Sequence, residues 1–158
     1  MGQYTVMLEI SQILARLIIA LGLGALMGIE RELAGKEAGV RTDMLVAGGS
    51  ALFTMIALTL PYILVASGAS LVSIIEGNAG FLTIIGNIVV GVGFLGAGII
   101  IKNQNHVHGL TTAALVWTTS AIGIMTGLGL LVEALASTLI ISTLLFILRR
   151  LNLSPIRT

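Results

Sequence analysis

The sequence predicts an all-α protein, a polytopic membrane bundle of about five transmembrane helices. Only 9% of its 158 residues are charged and 56% are apolar, whereas a soluble domain carries about 25% charged residues. The mean hydropathy is +1.09. Five long runs with few or no charges have lengths suited to crossing a bilayer. We therefore expect one transmembrane domain over residues 1–158, with spans at about 9–28, 44–66, 81–101, 111–126 and 131–148.

Composition also argues against several classes of function. The chain has no cysteine, so disulfides and thiolate metal sites are excluded. No basic patch is large enough to predict nucleic-acid binding. We find no nucleophile–base pair and no set of metal ligands with catalytic spacing, so the chain is not expected to be an enzyme. No motif points to a cofactor.

The first span carries an arginine inside the apolar run. Arg16 lies well within residues 9–28, and an intramembrane arginine is by default a hypothesis for a functional site. The alternative is that it extends to the nearer surface or pairs with Glu9. Gly24 and Gly28 form a GxxxG step, which indicates close contact with another helix.

A charged hinge joins the first two spans. The side chains that it offers for ion pairing or function are Glu30, Arg31, Glu32, Arg41, Thr42 and Asp43. Because the helix dipole disfavours an acid at a helix C-terminus, we expect Glu30 to pair with Arg41 across the antiparallel spans. The alternative is a solvated loop. Glu30, Glu32 and Asp43 are also weak candidates for binding Mg²⁺, which prefers oxygen ligands.

The third span, residues 81–101, is rich in small residues and follows a turn expected at Glu76-Gly-Asn. On a helical wheel its small residues form two faces, which predicts a central helix with neighbours on both sides. The first face contains Asn87, Gly91, Phe94 and Gly98, and the second contains Gly86, Gly93 and Ala97. Two interpretations stay open: plain close packing, or a functional site at Asn87.

The polar loop 102–109 leads into the fourth span, for which Thr111 is the expected N-cap. Thr112, Thr119 and Thr126 recur every seven residues, so they predict a small, polar stripe facing the third span. In the loop, His106 and His108 are a further weak candidate for metal binding.

Charge asymmetry predicts the orientation. If the sides alternate through five spans, seven of the eight basic residues fall on one side. They are Arg31, Lys36, Arg41, Lys102, Arg149, Arg150 and Arg157. The positive-inside rule then places the N-terminus outside and the C-terminus in the cytoplasm.

Four motifs in this order resemble the MgtC/SapB family of membrane domains. They are Gly-Ile-Glu-Arg-Glu at 28–32, Ala-Gly-Val-Arg-Thr at 38–42, Gly-Val-Gly-Phe-Leu-Gly-Ala-Gly at 91–98, and Gly-Leu-Thr-Thr-Ala-Ala at 109–114 with Trp117. The residues of these motifs expected to pack are Gly91, Gly93, Gly96, Gly98, Gly109, Thr111, Thr112 and Trp117. The chain is similar to short, SapB-like members, which lack a C-terminal cytoplasmic domain.

The resemblance implies a multi-pass protein of the bacterial inner membrane, linked to adaptation to low magnesium and to survival in host cells. It also implies a partner among membrane proteins, such as the F-type ATP synthase. Two functions therefore remain: a regulatory module that binds membrane partners, or a transporter or channel for a cation such as Mg²⁺. No span is expected to carry an unpaired acid at mid-depth, which favours regulation. Unfilled small-residue surfaces also predict a homodimer or larger oligomer.

Overall fold

A computed structural model describes residues 8–66, 70, 72, 80–103 and 106–151. Within these residues the chain forms five helices and one β-hairpin. The elements are α1 (Ile10–Leu33), α2 (Val40–Ala66), α3 (Gly80–Ile99), β1 (Ile101–Asn103), β2 (His106–His108), α4 (Leu110–Leu128) and α5 (Leu131–Arg150). Each helix is long and apolar enough to cross a membrane, which confirms the prediction of a five-helix, multi-pass membrane protein.

The centre of the bundle is α4, which contacts each of the other four helices. In the most apolar stretch of α4, 61% of the residues are buried, compared with 17% in the corresponding stretch of α3. The prediction that residues 81–101 form the central helix is therefore wrong. Two hydroxyls of α4 find partners on other helices, Thr112 with Arg31 and Ser120 with Ser50, so this less hydropathic helix occupies the interior while the more apolar α3 lies at the periphery.

Glycines let α1 and α2 approach closely. A Cβ at Gly24 would collide with the backbone oxygen of Asp43, and one at Gly28 would lie 2.5 Å from the Cα of Val40. The GxxxG step of α1 is thus confirmed as a contact surface. It aligns the last part of α1 with the first part of α2.

Glycines also permit close contact between α2 and α4. A Cβ at Gly123 would collide with the carbonyl oxygen of Ala47, and one at Gly127 would lie 2.7 Å from that of Ala51. The Ser50 and Ser120 hydroxyls are 2.9 Å apart in this buried contact. The threonine stripe of α4 therefore faces α1 and α2, and its predicted contact with the third span is wrong.

Among the described residues, the two small-residue faces of α3 are uncovered. No described atom outside the helix's own nearby backbone lies within 4 Å of the position that a Cβ would take at Gly86, Gly91, Gly93 or Gly98, and Phe94 is 82% exposed. The prediction that both small-residue faces have neighbouring helices is therefore wrong for the described part of the chain. Instead, α3 packs an aliphatic side against α4, where branched side chains gain van der Waals contacts. That side is formed by Ile88, Val92 and Gly96, and a Cβ at Gly96 would lie 3.6 Å from the Cβ of Ala113.

The predicted polar loop is an antiparallel hairpin, in which Ile101 pairs with His108. Gly109 then starts α4 with φ of +85°, and a Cβ there would collide with the carbonyl oxygen of Ile99. Glycine is therefore required at this position. Thr111 lies inside α4, exposed, so its assignment as the N-cap is wrong. The turn expected at residues 76–78 lies outside the described residues.

Contacts at the ends of the helices bring the described basic residues other than Arg16 to one end of the bundle. The Arg149 guanidinium donates to the Leu33 carbonyl at 2.7 Å, which joins the ends of α5 and α1. The hinge before α2 and the hairpin before α4 lie at the same end, because α2 and α4 both start there. Arg16 lies towards the opposite end. Which end faces the cytoplasm stays a prediction.

Candidate functional site

A polar core lies where α1, α2 and α4 meet, and Asp43 is at its centre. The structure begins α2 at Val40, four residues before the expected span, so Asp43 belongs to the first turn of the helix. Its side chain is fully buried. The positive end of the α2 dipole favours an acid here, which is part of the reason that the helix starts before it.

Asp43 lies deep in the bundle. Its backbone faces Gly24 of α1, nine residues before the end of that helix at Leu33. This spacing corresponds to about 13 Å along the helix axis. Asp43 nevertheless lies in the first turn of α2, three residues after Val40, so the expectation that no span carries an unpaired acid at mid-depth stays a prediction. The span that was expected to begin at residue 44 begins at Val40 and includes Asp43.

Arg31 provides the positive charge of the core. It is 6% exposed, and its Nη2 donates a hydrogen bond to Thr112 Oγ1 at 2.7 Å. Its Nη1 lies 3.7 Å from Glu30 Oε2, and it interacts electrostatically with Asp43. One guanidinium therefore joins α1 to α2 and α4.

The predicted Glu30–Arg41 ion pair does not form. Glu30 contacts Arg31, its neighbour in sequence, whereas Arg41 is exposed. Arg41 precedes the buried Asp43 by two residues, so the two side chains point about 200° apart around α2. The side of α2 that faces α1 therefore presents Asp43 and directs Arg41 outward.

Five buried polar atoms of the core have no hydrogen-bond partner among the described residues. They are Glu30 Oε2, Arg31 Nε, Asp43 Oδ1, Asp43 Oδ2 and Thr119 Oγ1. The Thr119 hydroxyl is near the Asp43 carboxylate, although the two do not meet hydrogen-bond geometry. Such clustering is unusual, because most buried polar atoms in native proteins are partnered. Sequence reasoning placed Thr119 only in a packing stripe.

The other candidates in the hinge are separate from this core. Glu32 Oε2 accepts a hydrogen bond from the Val40 backbone N–H at 3.1 Å, so it satisfies a free donor at the start of α2. Within the described part of the chain, no group of three or more His, Asp or Glu side chains is placed to hold a metal ion. Glu30, Glu32 and Asp43 are therefore not brought together as a ligand set. The side chain of His106 lies outside the described residues.

Arg16 binds the end of another helix. Its Nη1 donates to the Gly127 carbonyl at 2.7 Å, near the C-terminus of α4, where the dipole favours a cation. Glu9 instead accepts a bond from Ser11 at 3.3 Å. Gly129, with φ of +87°, ends the helix beside this guanidinium. The Gly127-Leu-Gly129 turn was the signal that could have predicted this contact.

A second feature is an open cleft between α2 and α3. Its volume is about 620 Å³, and its lining is almost entirely apolar. Among its lining residues are Thr42, Leu45, Phe53, Asn87, Gly91 and Leu95. Asn87 is exposed and makes no hydrogen bond within the described residues. Trp117, at 51% exposure, lies on the outside of α4. The molecule thus offers an enclosed polar core and a separate outward-facing helix.

Comparison with known proteins places the chain among membrane proteins. A model of the MgtC family matches residues 17–153. The protein MgtC of Salmonella typhimurium (strain LT2) is 39% identical over 144 residues, which cover 89% of this chain and 55% of that protein. Protein MgtC of Brucella abortus (strain 2308) is 37% identical over 129 residues, covering 82% and 48%. The chain therefore spans about half the length of the curated relatives that it matches. No solved structure matches it.

Proposed function

The chain belongs to the MgtC family, and we propose that it is a regulatory module that acts by binding other proteins in the bacterial inner membrane. Its role is in adaptation to low magnesium or to stress inside host cells. The observation that carries the proposal is the uncovered surface of α3. This surface is exposed and rich in glycine, although the chain has other helices that could have packed against it.

The surface has the properties of a site for another transmembrane helix. In lipid, helices associate through close backbone approach and interhelical hydrogen bonds, because apolar burial gives no advantage there. Gly91, Gly93 and Gly98 permit that approach, since nothing lies within 4 Å of their Cβ positions. Asn87 supplies an amide without a partner in the described chain. An incoming helix with a polar side chain at matching depth satisfies that amide.

The proposed partner is the membrane sector of the F-type ATP synthase, which the family resemblance suggests. Binding of α3 to a helix of this sector would restrain ATP synthesis when the protein is abundant. The test is co-reconstitution of the purified protein with F-type ATP synthase in proteoliposomes at increasing ratios. We expect ATP synthesis driven by an imposed proton gradient to fall as the ratio rises.

A matched pair of variants localises the effect. Gly93 on α3 and Gly22 on α1 are both exposed helical glycines with open space around them. Gly93→Leu adds bulk to the proposed surface and should abolish the inhibition, whereas Gly22→Leu should retain it. Equal inhibition by both variants, or none by the unmodified protein, would contradict the proposal.

A second candidate function is cation transport, and the specific observation in its favour is the fully buried carboxylate of Asp43 in the first turn of α2. Intramembrane acids commonly mark ion pathways. Uptake of Mg²⁺ into proteoliposomes that contain only this protein tests this candidate. Flux that is lost in Asp43→Asn would favour transport, and an absence of flux would reject it.

A further inference from the structure

We propose that the polar core of α1, α2 and α4 is an enclosed, hydrated site that binds one exchangeable proton on Asp43. Three features support this proposal: the complete burial of Asp43, the unpartnered atoms around it, and the charge of the cluster. Partner binding on α3 is not required for this site.

Unpartnered atoms indicate that water occupies the core. Both oxygens of Asp43, the Nε of Arg31 and the hydroxyl of Thr119 are buried and make no hydrogen bond within the described residues. Buried polar groups of this kind are normally satisfied by ordered water, which makes two to four hydrogen bonds. Donors and acceptors are both present here, so a small water cluster can connect them.

The charges of the core sum to an excess of one negative unit. Glu30 and Asp43 each carry one negative charge when ionised, and Arg31 carries one positive charge. An uncompensated charge inside a low-dielectric bundle is costly, and the usual remedy is neutralisation by a proton. Asp43 is the carboxylate without direct contact to a cation, since the Arg31 guanidinium lies 3.7 Å from Glu30 and donates to Thr112.

A proton suits this site better than a metal ion. Mg²⁺ requires near-octahedral oxygen coordination and usually retains several waters. The core brings together two carboxylates and one guanidinium, and the guanidinium repels a divalent cation. No group of three carboxylate or histidine ligands exists within the described segments.

The charge state of Asp43 depends on the groups that the helices packed against α2 place around it. From α1 come Arg31 and Glu30, and α4 contributes the neutral hydroxyls of Thr112 and Thr119. The segment Gly80–Ile99 contains no Asp, Glu, Lys, Arg or His. Protonation of Asp43 therefore depends on the two α1 charges and on the enclosed water.

The proton moves in a balanced exchange. A hydronium ion in the enclosed water gives its proton to an Asp43 oxygen, leaving a neutral carboxyl group and one water molecule. Release is the reverse. Glu30, whose side chain is 10% exposed, lies nearer the hinge end of α1 than the residues that face Asp43 on that helix.

Infrared difference spectroscopy tests the site directly. The probe is the C=O stretching band of a protonated carboxyl group, followed while pH is varied in nanodiscs of phosphatidylethanolamine and phosphatidylglycerol. We expect one pH-sensitive band from a carboxyl in a dry environment, and its loss in Asp43→Asn. Glu133→Gln is the matched control, because Glu133 is an exposed acid in the first turn of α5. It should retain the band.

A second variant keeps the test decisive if Asp43→Asn folds poorly. Thr119→Val retains the carboxyl but removes the neighbouring hydroxyl, so the band should persist with a shifted frequency. A band unchanged in both variants, or none in the unmodified protein, would overturn the proposal. Removal of the Asp43 band by added Na⁺ or Mg²⁺ at constant pH would also overturn it, since the site would then bind a cation.

Discussion

At the scale of the residue, Arg31 is the side chain on which the polar core depends. Replacing it with Gln leaves Asp43 and Glu30 buried without a cation, and breaking a buried charge network in this way costs about 3–5 kcal/mol. We expect Arg31→Gln to destabilise the protein strongly during SDS-induced unfolding from micelles. Adding Asp43→Asn should recover part of the loss, because the uncompensated charge is then removed.

The exposed Arg41→Gln serves as the control for this cycle and should change stability little. Additive losses from Arg31→Gln and Asp43→Asn would show that the two side chains do not interact. If Arg41→Gln lowers stability as much as Arg31→Gln does, the result would instead support the Glu30–Arg41 ion pair expected from sequence.

The burial of Asp43 shows what sequence reasoning can and cannot reach at this scale. The sequence identifies the hinge as a charged cluster beside two spans, with Glu30, Arg31 and Asp43 among its candidates. It predicts Arg41 as the partner of Glu30 because antiparallel spans bring the two residues to the same level. Which side of α2 is buried depends on glycine contacts with α1 and α4, and these require the packed bundle.

At the scale of the element, tight glycine contacts hold α2 between α1 and α4. Gly123→Ala places a Cβ against the Ala47 backbone oxygen, and such overpacking costs about 1–3 kcal/mol. Gly91→Ala on α3 meets open space, so we expect unchanged or slightly higher stability in a helix. Unfolding of the two variants in detergent measures the difference, and equal losses would contradict this packing.

The identity and number of the helices could be predicted, because apolar runs of sufficient length have few alternatives in a membrane. The arrangement of the helices in the bundle could not be predicted. Glycine-rich α3 and threonine-rich α4 both offered small surfaces, and composition alone favoured α3 as the centre. In the bundle, the buried hydrogen bond of Thr112 and the close contact at Gly123 place α4 there instead.

At the scale of the whole molecule, the charge asymmetry predicts the orientation. Described basic residues other than Arg16 lie at one end of the bundle, so we expect that end in the cytoplasm. A reporter fused after Arg157 should be cytoplasmic, and one inserted near Asn78 should be external. Both reporters on one side would contradict the five-span topology, and exchanged sides would reverse its orientation.

Site-specific crosslinking in bacterial membranes tests most directly whether α3 is the surface that binds a membrane partner. The natural chain has no cysteine, so Gly93→Cys and Gly22→Cys each introduce a single attachment point for a thiol-reactive photocrosslinker. We predict an adduct with a membrane subunit of the F-type ATP synthase from Gly93→Cys and none from Gly22→Cys. The same adducts from both positions, or only adducts between two copies of this chain, would contradict the account.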